Sequence, residues 1–230
     1  MLQKPDPDHP WPVEGSPREW TFGSGKVRIS VVDAAGRIDL NHAAPELLKG
    51  LLTSAGGLED AAAQALVDKI ADFRDPDDAK QINGAEKADY QAAGRAPKDS
   101  DFESVEELQQ VLDMTPEIYE RIAPALTMAS GQPGIDPAAA SALVLNAIPG
   151  SDPQMVEEYI AQRTEAIANQ SPLPPPPAQL GAYLAAAQGL AYHVAVEAEL
   201  ETGTALAVRA TVTQPRLPKQ LYYTIDWRED

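Results

Sequence analysis

Residues 36–57 read GRIDLNHAAPELLKGLLTSAGG, residues 63–78 read AQALVDKIADFRDPDD, and residues 83–90 read NGAEKADY. Ile38 and Leu40 alternate with Asp39 and Asn41, the period of a half-buried strand end, and Asn41 is placed to cap a helix over Ala43 to Leu52. Beyond Gly56-Gly57, the residues Ala62, Ala65, Leu66, Lys69 (through its stem), Ile70 and Phe73 recur at three- and four-residue steps and give a second helix one apolar face. That helix runs into carboxylates. Asp72, Asp75, Asp77 and Asp78 crowd its C-terminal end, where the macrodipole is negative and each acid costs about 0.3–1 kcal/mol. Arg74 and Lys80, or a bound cation, must compensate.

Outward from this stretch, residues 1–18 carry five prolines and predict an extended lead-in, with Trp11 and Trp20 available for packing. Trp20 to Phe22 and Lys26 to Val32 read as two strands around Gly23-Ser24-Gly25. With Arg37 to Leu40 they suggest a small antiparallel meander. Ala85 to Ala92 predicts a short helix and Gly94 to Asp101 an irregular polar crossing. Ser104 and Glu107 form an S-x-x-E capping box, Thr115-Pro116 starts a further helix, and Pro124 ends it. The pattern then repeats: Ile38-Asp39, Leu47, Ile70 and Arg74 have counterparts in Ile135-Asp136, Leu143, Ile160 and Arg163. Asp136-Pro137 and Asp152-Pro153 both read as cap-plus-first-turn starts, and the turns at Gly56-Gly57 and Pro149-Gly150 make each copy similar to a helix-hairpin-helix unit.

Pro172 to Pro177 predicts an extended polyproline connector, and Gln179 to Gln188 a short amphipathic helix or loop. Strands over Ala191 to Leu200, Ala205 to Thr213 and Leu221 to Trp227 follow, the last after Pro215 and Pro218. The expected fold class is α+β. One antiparallel sheet domain is built from residues 1–42 and 172–230, and a helical domain, residues 43–171, is inserted between them.

Five motifs occur in order: GRIDLNHA, ALVDKIADFRDPDD, NGAEKADY, FESVEELQQVLDMTPEIYERIAPALT and GIDPAAASALVLNAIPG. Together they resemble the minor pseudopilin K family of the type II secretion system over roughly residues 15–165. The family's tryptophan before the Arg-Asp pair is Phe73 here, and the usual aromatic beside Tyr90 is Asp89. The resemblance implies a pilin-like sheet domain carrying the helical insertion, at the tip of the periplasmic pseudopilus, with the I and J pseudopilins as partners. It implies anchorage in the bacterial inner membrane by an apolar N-terminal helix, and calcium in the helical domain. No run of about 20 apolar residues occurs here, so the sequence is expected to be the soluble part that follows such an anchor.

The 35 acidic and 18 basic residues give a net charge of −17, which repels nucleic acid phosphates and anionic lipid and favours cations or basic protein surfaces. Cysteine is absent, which removes disulfides, thiolate catalysis and thiolate zinc sites. Residues 36–171 hold 24 acidic and 10 basic side chains, so neither helical hairpin has the cationic footprint of a DNA-binding module. His9, His42 and His193 stand apart from any serine and carboxylate arrangement, and no phosphate-binding glycine loop is present. The sequence therefore reads as a structural component without chemistry of its own. The alternatives are a calcium-stabilised binding or adhesion module and a helix-hairpin-helix nucleic-acid binder.

Asp75, Asp77, Asp78, Glu86 and Asp89 are the candidate metal ligands, with Asp99, Asp101 and Glu103 able to fold back toward them. Carboxylates held close resist ionisation together, and a hard cation taking about 6–8 oxygens relieves the repulsion. The spacing is not that of an EF-hand, because Gly84 and Glu86 are misplaced for one. On spacing alone, a solvated acidic loop and a metal site both fit.

Overall fold

The computed structural model describes residues 13–186, 189–214 and 222–229. The expectations for Trp11 and the first lead-in residues, for the end of the 179–188 segment and for the turn through Pro215 and Pro218 fall outside them.

The strands in chain order are β1 (Arg18–Phe22), β2 (Gly25–Asp33), β3 (Ile38–Asp39), β4 (Leu126–Thr127), β5 (Ala191–Leu200), β6 (Ala205–Thr213) and β7 (Tyr223–Glu229). Five of them form one antiparallel sheet in the order β1-β2-β5-β6-β7. Both ends of the chain thus meet in one sheet, as the alternation at each end suggests. The third strand of the expected meander goes elsewhere. β3 pairs in parallel with β4, Ile38 opposite Leu126, because the 3-10 turn Ala34–Gly36, capped by Asp33 Oδ1, carries the chain off the sheet.

Period-two alternation gives the sheet two unlike faces. Register places Trp20, Val27 and Leu206 in one row, Ile29, Val196 and Val208 in the next, and Val31, Val194 and Trp227 in a third. This apolar face is poorly covered by the described residues, with Trp20 63% and Trp227 61% exposed. The opposite face is polar along the ion-paired row Glu19, Arg28 and Glu197. At the far end of that face, His193 bridges Thr127 Oγ1 and Thr211 Oγ1, each at 3.0 Å, and so joins the sheet to the helical region.

The helices are α1 (Pro45–Ser54), α2 (Asp60–Arg74), α3 (Lys87–Ala92), α4 (Pro116–Ile122), α5 (Ala142–Leu145) and α6 (Pro153–Ala168). Their apolar faces share one core centred on Leu47, Leu51, Ile70 and Phe73. Phe73 stacks on Phe102 at 5.4 Å between ring centroids and meets Tyr90 at 5.7 Å. Thr115 and Asp152 cap α4 and α6 through their side chains, as their sequence position implies.

Three expected caps resolve differently. α1 starts at Pro45 without a side-chain cap, because Asn41 instead clamps a distant loop: its Nδ2 donates to Phe102 O and its Oδ1 accepts from Phe102 N, both at 3.0 Å. Ser104 makes no side-chain cap to the 3-10 turn Val105–Gln110; Glu107 accepts from Glu103 N and pairs with Lys98. Asp136-Pro137 opens only a turn, and α5 begins later at Ala142, capped by Ser141.

The internal repeat is visible in the backbone. Ile38 and Ile135 each make a parallel pairing, with Leu126 and Leu184 respectively. Asp39 Oδ1 accepts from Asn41 N, and Asp136 Oδ1 accepts from Ala138 N, both at 3.0 Å. The buried positions Ala63, Leu66, Ile70 and Phe73 of α2 have the spacing of Val156, Tyr159, Arg163 and Ala166 of α6. By this burial spacing Arg163 stands in α6 where Ile70 stands in α2. Even so, Arg74 donates to Leu40 O and Arg163 to Pro137 O, so both guanidinium groups reach equivalent carbonyls from helix positions one turn apart. The copies touch backbone to backbone at Gly50, where a Cβ would lie 1.8 Å from Ala147 O.

Candidate metal centre

The acidic stretch belongs to the first repeat, between α2 and α3, and has no counterpart in the second. Asp72 lies in the last turn of α2 and is fully buried. Residues at i and i+3 share a helix face, so Asp75, at the helix end, stands beside it. Glu86, just before α3 and also buried, completes a group in which one carboxylate oxygen from each residue lies within 4.8 Å of the others.

The loop is built around Asp72. Gln81 N donates to both of its oxygens at 3.2 Å, and the neighbouring Asp68 holds Asn83 through its backbone N at 3.2 Å and its Nδ2 at 3.0 Å. Gly84 passes so close that no side chain fits between it and the Asp72 carboxylate. These bonds leave three acceptors over: Asp75 Oδ1 and both Glu86 oxygens are buried without a hydrogen-bond partner among the described residues.

The electrostatics agree with that inventory. Burial raises the pKa of Asp72, opposed by the Gln81 and Ala85 amides. Burial also raises Asp75, with Asp77 next in effect, and Glu86, with Asp72 and Asp75 adding to the shift. Two buried acids and one half-buried one that each resist ionisation, with orphaned oxygens converging, have the donor chemistry for a hard cation.

Of the residues expected from sequence, the structure brings Asp75 and Glu86 together. Asp78 and Asp99 stand near enough for their charges to act on Glu86. Asp77 is exposed and turns its Oδ1 to Ala79 N at 2.7 Å. Asp89 pairs with Lys80 Nζ at 2.8 Å and accepts from Glu86 N at 3.0 Å, which holds its pKa below the usual carboxylate value. The charge of Asp101 acts on Arg74, and Glu103 faces Lys98 at 3.9 Å. Asp72 was not a predicted ligand, because in sequence it reads as one more charge at a helix end. Its three-residue spacing from Asp75 was the available signal.

Residues 29–131 match the family model described as Type II secretion system (T2SS), protein K. The fold is similar to a chain in the crystal structure of the GspK-GspI-GspJ complex from the enterotoxigenic Escherichia coli Type 2 Secretion System, with a TM-score of 0.65. The likeness covers 94% of this chain and 83% of that one at 13% sequence identity. No curated protein matches the sequence.

Proposed function

Residues 29–131 belong to the type II secretion system protein K family, and from that premise we propose that the chain is the head of a minor pseudopilin, a structural component of the secretion machinery with no catalysis of its own. The family match is the observation that carries the reading; the shared fold supports it. In this reading the head works in the periplasm at the tip of the pseudopilus, beside the I and J pseudopilins. The helical region, sitting above a pilin-like sheet, is bulky enough to hinder a further subunit from stacking on it. The two helix pairs act as helix-hairpin-helix-like packing modules, a role that asks no positive charge of them. The exposed apolar sheet face is a surface that the family's apolar N-terminal helix would cover.

We further propose that Asp72, Asp75 and Glu86 hold calcium, with Asp78 and Asp99 adding local negative charge. Bound there, the ion would neutralise the cluster and fix the α2–α3 loop. This reading rests on the orphaned buried oxygens.

Co-purification with soluble I and J components tests the assembly reading. A stable complex at micromolar concentration is expected, and clean separate elution would overturn it.

A further inference from the structure

The chain leaves the sheet after β2 and returns to it at β5, and the register sets Asp33 opposite Tyr192. Both crossings to the helical region therefore stand side by side, at one end of two neighbouring strands. This seam is closely packed. Asp136 N donates to Ala35 O at 2.8 Å, and a Cβ on Gly36 would lie 2.6 Å from the Ala139 backbone. His193 adds its bonds to Thr127 and Thr211, from a ring whose pKa is pushed down to about 3 by burial and by the charge of Arg37. These contacts join neutral groups, so salt leaves them in place.

A second tie lies two strands away, on β7. Register puts Arg228 on the same face of the sheet as His193. Its Nη1 pairs with Glu106 of the 3-10 turn Val105–Gln110, and its Nε pairs with Asp226 at 3.2 Å. Arg209, a like charge, stands directly across the ladder, so the cation gains by reaching out to the two carboxylates. Arg228 in turn holds the Glu106 carboxyl below its usual pKa. The turn that carries Glu106 is rooted in the helical core by Leu108, and Lys98 anchors the adjacent Glu107 at 2.7 Å. A pull on Glu106 is thus passed to the helical region as a body. The Arg228 and Glu106 side chains are 46% and 37% exposed, and an ion pair so placed is open to screening.

We infer that Glu106 and Arg228 form a strap that fixes the tilt of the helical region over the polar face of the sheet, and that the region swings about the seam at Asp33 and Tyr192 when the strap opens. The asymmetry between the two ties makes this a hinge. Salt, or a charged partner that takes Glu106 or Arg228 for itself, releases one side and leaves the other closed. The helical region is then repositioned without unfolding either part.

The chain has no cysteine, so spin labels on Ser24→Cys, in the β1–β2 turn, and Gln162→Cys, on α6, both exposed positions, report the distance from sheet to helical region in the full chain. One narrow distribution is expected at low salt. Glu106→Gln and Arg228→Gln should each at least double its width, and the double variant should be no broader than either. Salt at about 1 M, where the Debye length is about 3 Å, should broaden the distribution of the strapped chain and add nothing in Glu106→Gln. An unchanged width in Glu106→Gln, even with a lower Tm, would reduce the pair to an ordinary surface contact and overturn the strap. A distribution of the strapped chain that ignores salt would overturn it as well.

Discussion

A Cβ placed on Gly84 would lie 1.8 Å from Asp72 Oδ2 and 2.6 Å from its carboxyl carbon. The glycine and the carboxylate are twelve residues apart in sequence and define each other's position. Gly84→Ala must push the Asp72 carboxylate out of place, at a cost of about 1–3 kcal/mol for a forced fit of this kind. The expected result is a lower Tm together with loss of any calcium-dependent stabilisation; an alanine variant with the wild-type calcium response would separate Gly84 from the site.

Calcium at 100 times its Kd should raise stability by about 2.7 kcal/mol, read as a Tm increase in chelator-stripped protein. Asp72→Asn or Glu86→Gln should abolish most of it, whereas Asp77→Asn, whose carboxylate serves the adjacent turn, should retain it. Equal losses in all three would point to general acidic screening.

Without divalent cations the cluster also predicts a pH effect. Burial raises all three pKa values above those of the unfolded chain, so the folded state binds more protons and stability falls as pH rises from about 4 through the raised values. An Asp72→Asn, Glu86→Gln double variant should lose that part of the slope, and calcium should reverse it in the wild type. Denaturant titrations across pH 4 to 8 decide the point.

His193 should act in the opposite sense. Burial first, then the charge of Arg37, lowers its pKa to about 3. The unfolded chain therefore takes up a proton near pH 6.5 that the folded chain refuses, and stability is lost as pH falls below that value. The loss is about 2 kcal/mol at pH 5. His193→Gln should flatten this limb of the stability profile; an unaltered limb would assign it to other groups.

Trp227 is 61% exposed on the apolar sheet face. Trp227→Glu should change stability by no more than about 0.5 kcal/mol and keep the calcium response, yet weaken assembly wherever that face is covered. Assembly at wild-type strength would show that the face stays open.

The fold was legible where local chemistry and tertiary packing agree. Alternation marked the strands at both ends, and Thr115-Pro116 and Asp152-Pro153 announced helices that form. It was not legible where a side chain serves a distant segment. Asn41 has the form of a cap but clamps Phe102, sixty-one residues on. Arg163 reaches the carbonyl equivalent to the one Arg74 reaches, as their pairing in sequence implies, but it does so from a buried position with the spacing of Ile70. In the candidate site, Asp75 and Glu86 could be named from crowding alone. Asp72 stands in the same crowd, but only the fold singles it out as a ligand, by showing that the last turn of α2 is covered and that Gly84 closes over it.

The adjacency of β2 and β5 has a kinetic meaning. Their register joins Asp33 to Tyr192, so the sheet cannot zip until the intervening chain has brought its own ends together. For an unstructured loop of that length the entropy of closure is large and the search slow. A helical region that collapses first turns the long loop into a short one. Sheet formation then becomes a reporter on the helical region, and anything that delays compaction around α2 should appear as slow acquisition of β-structure some distance from the place where it acts.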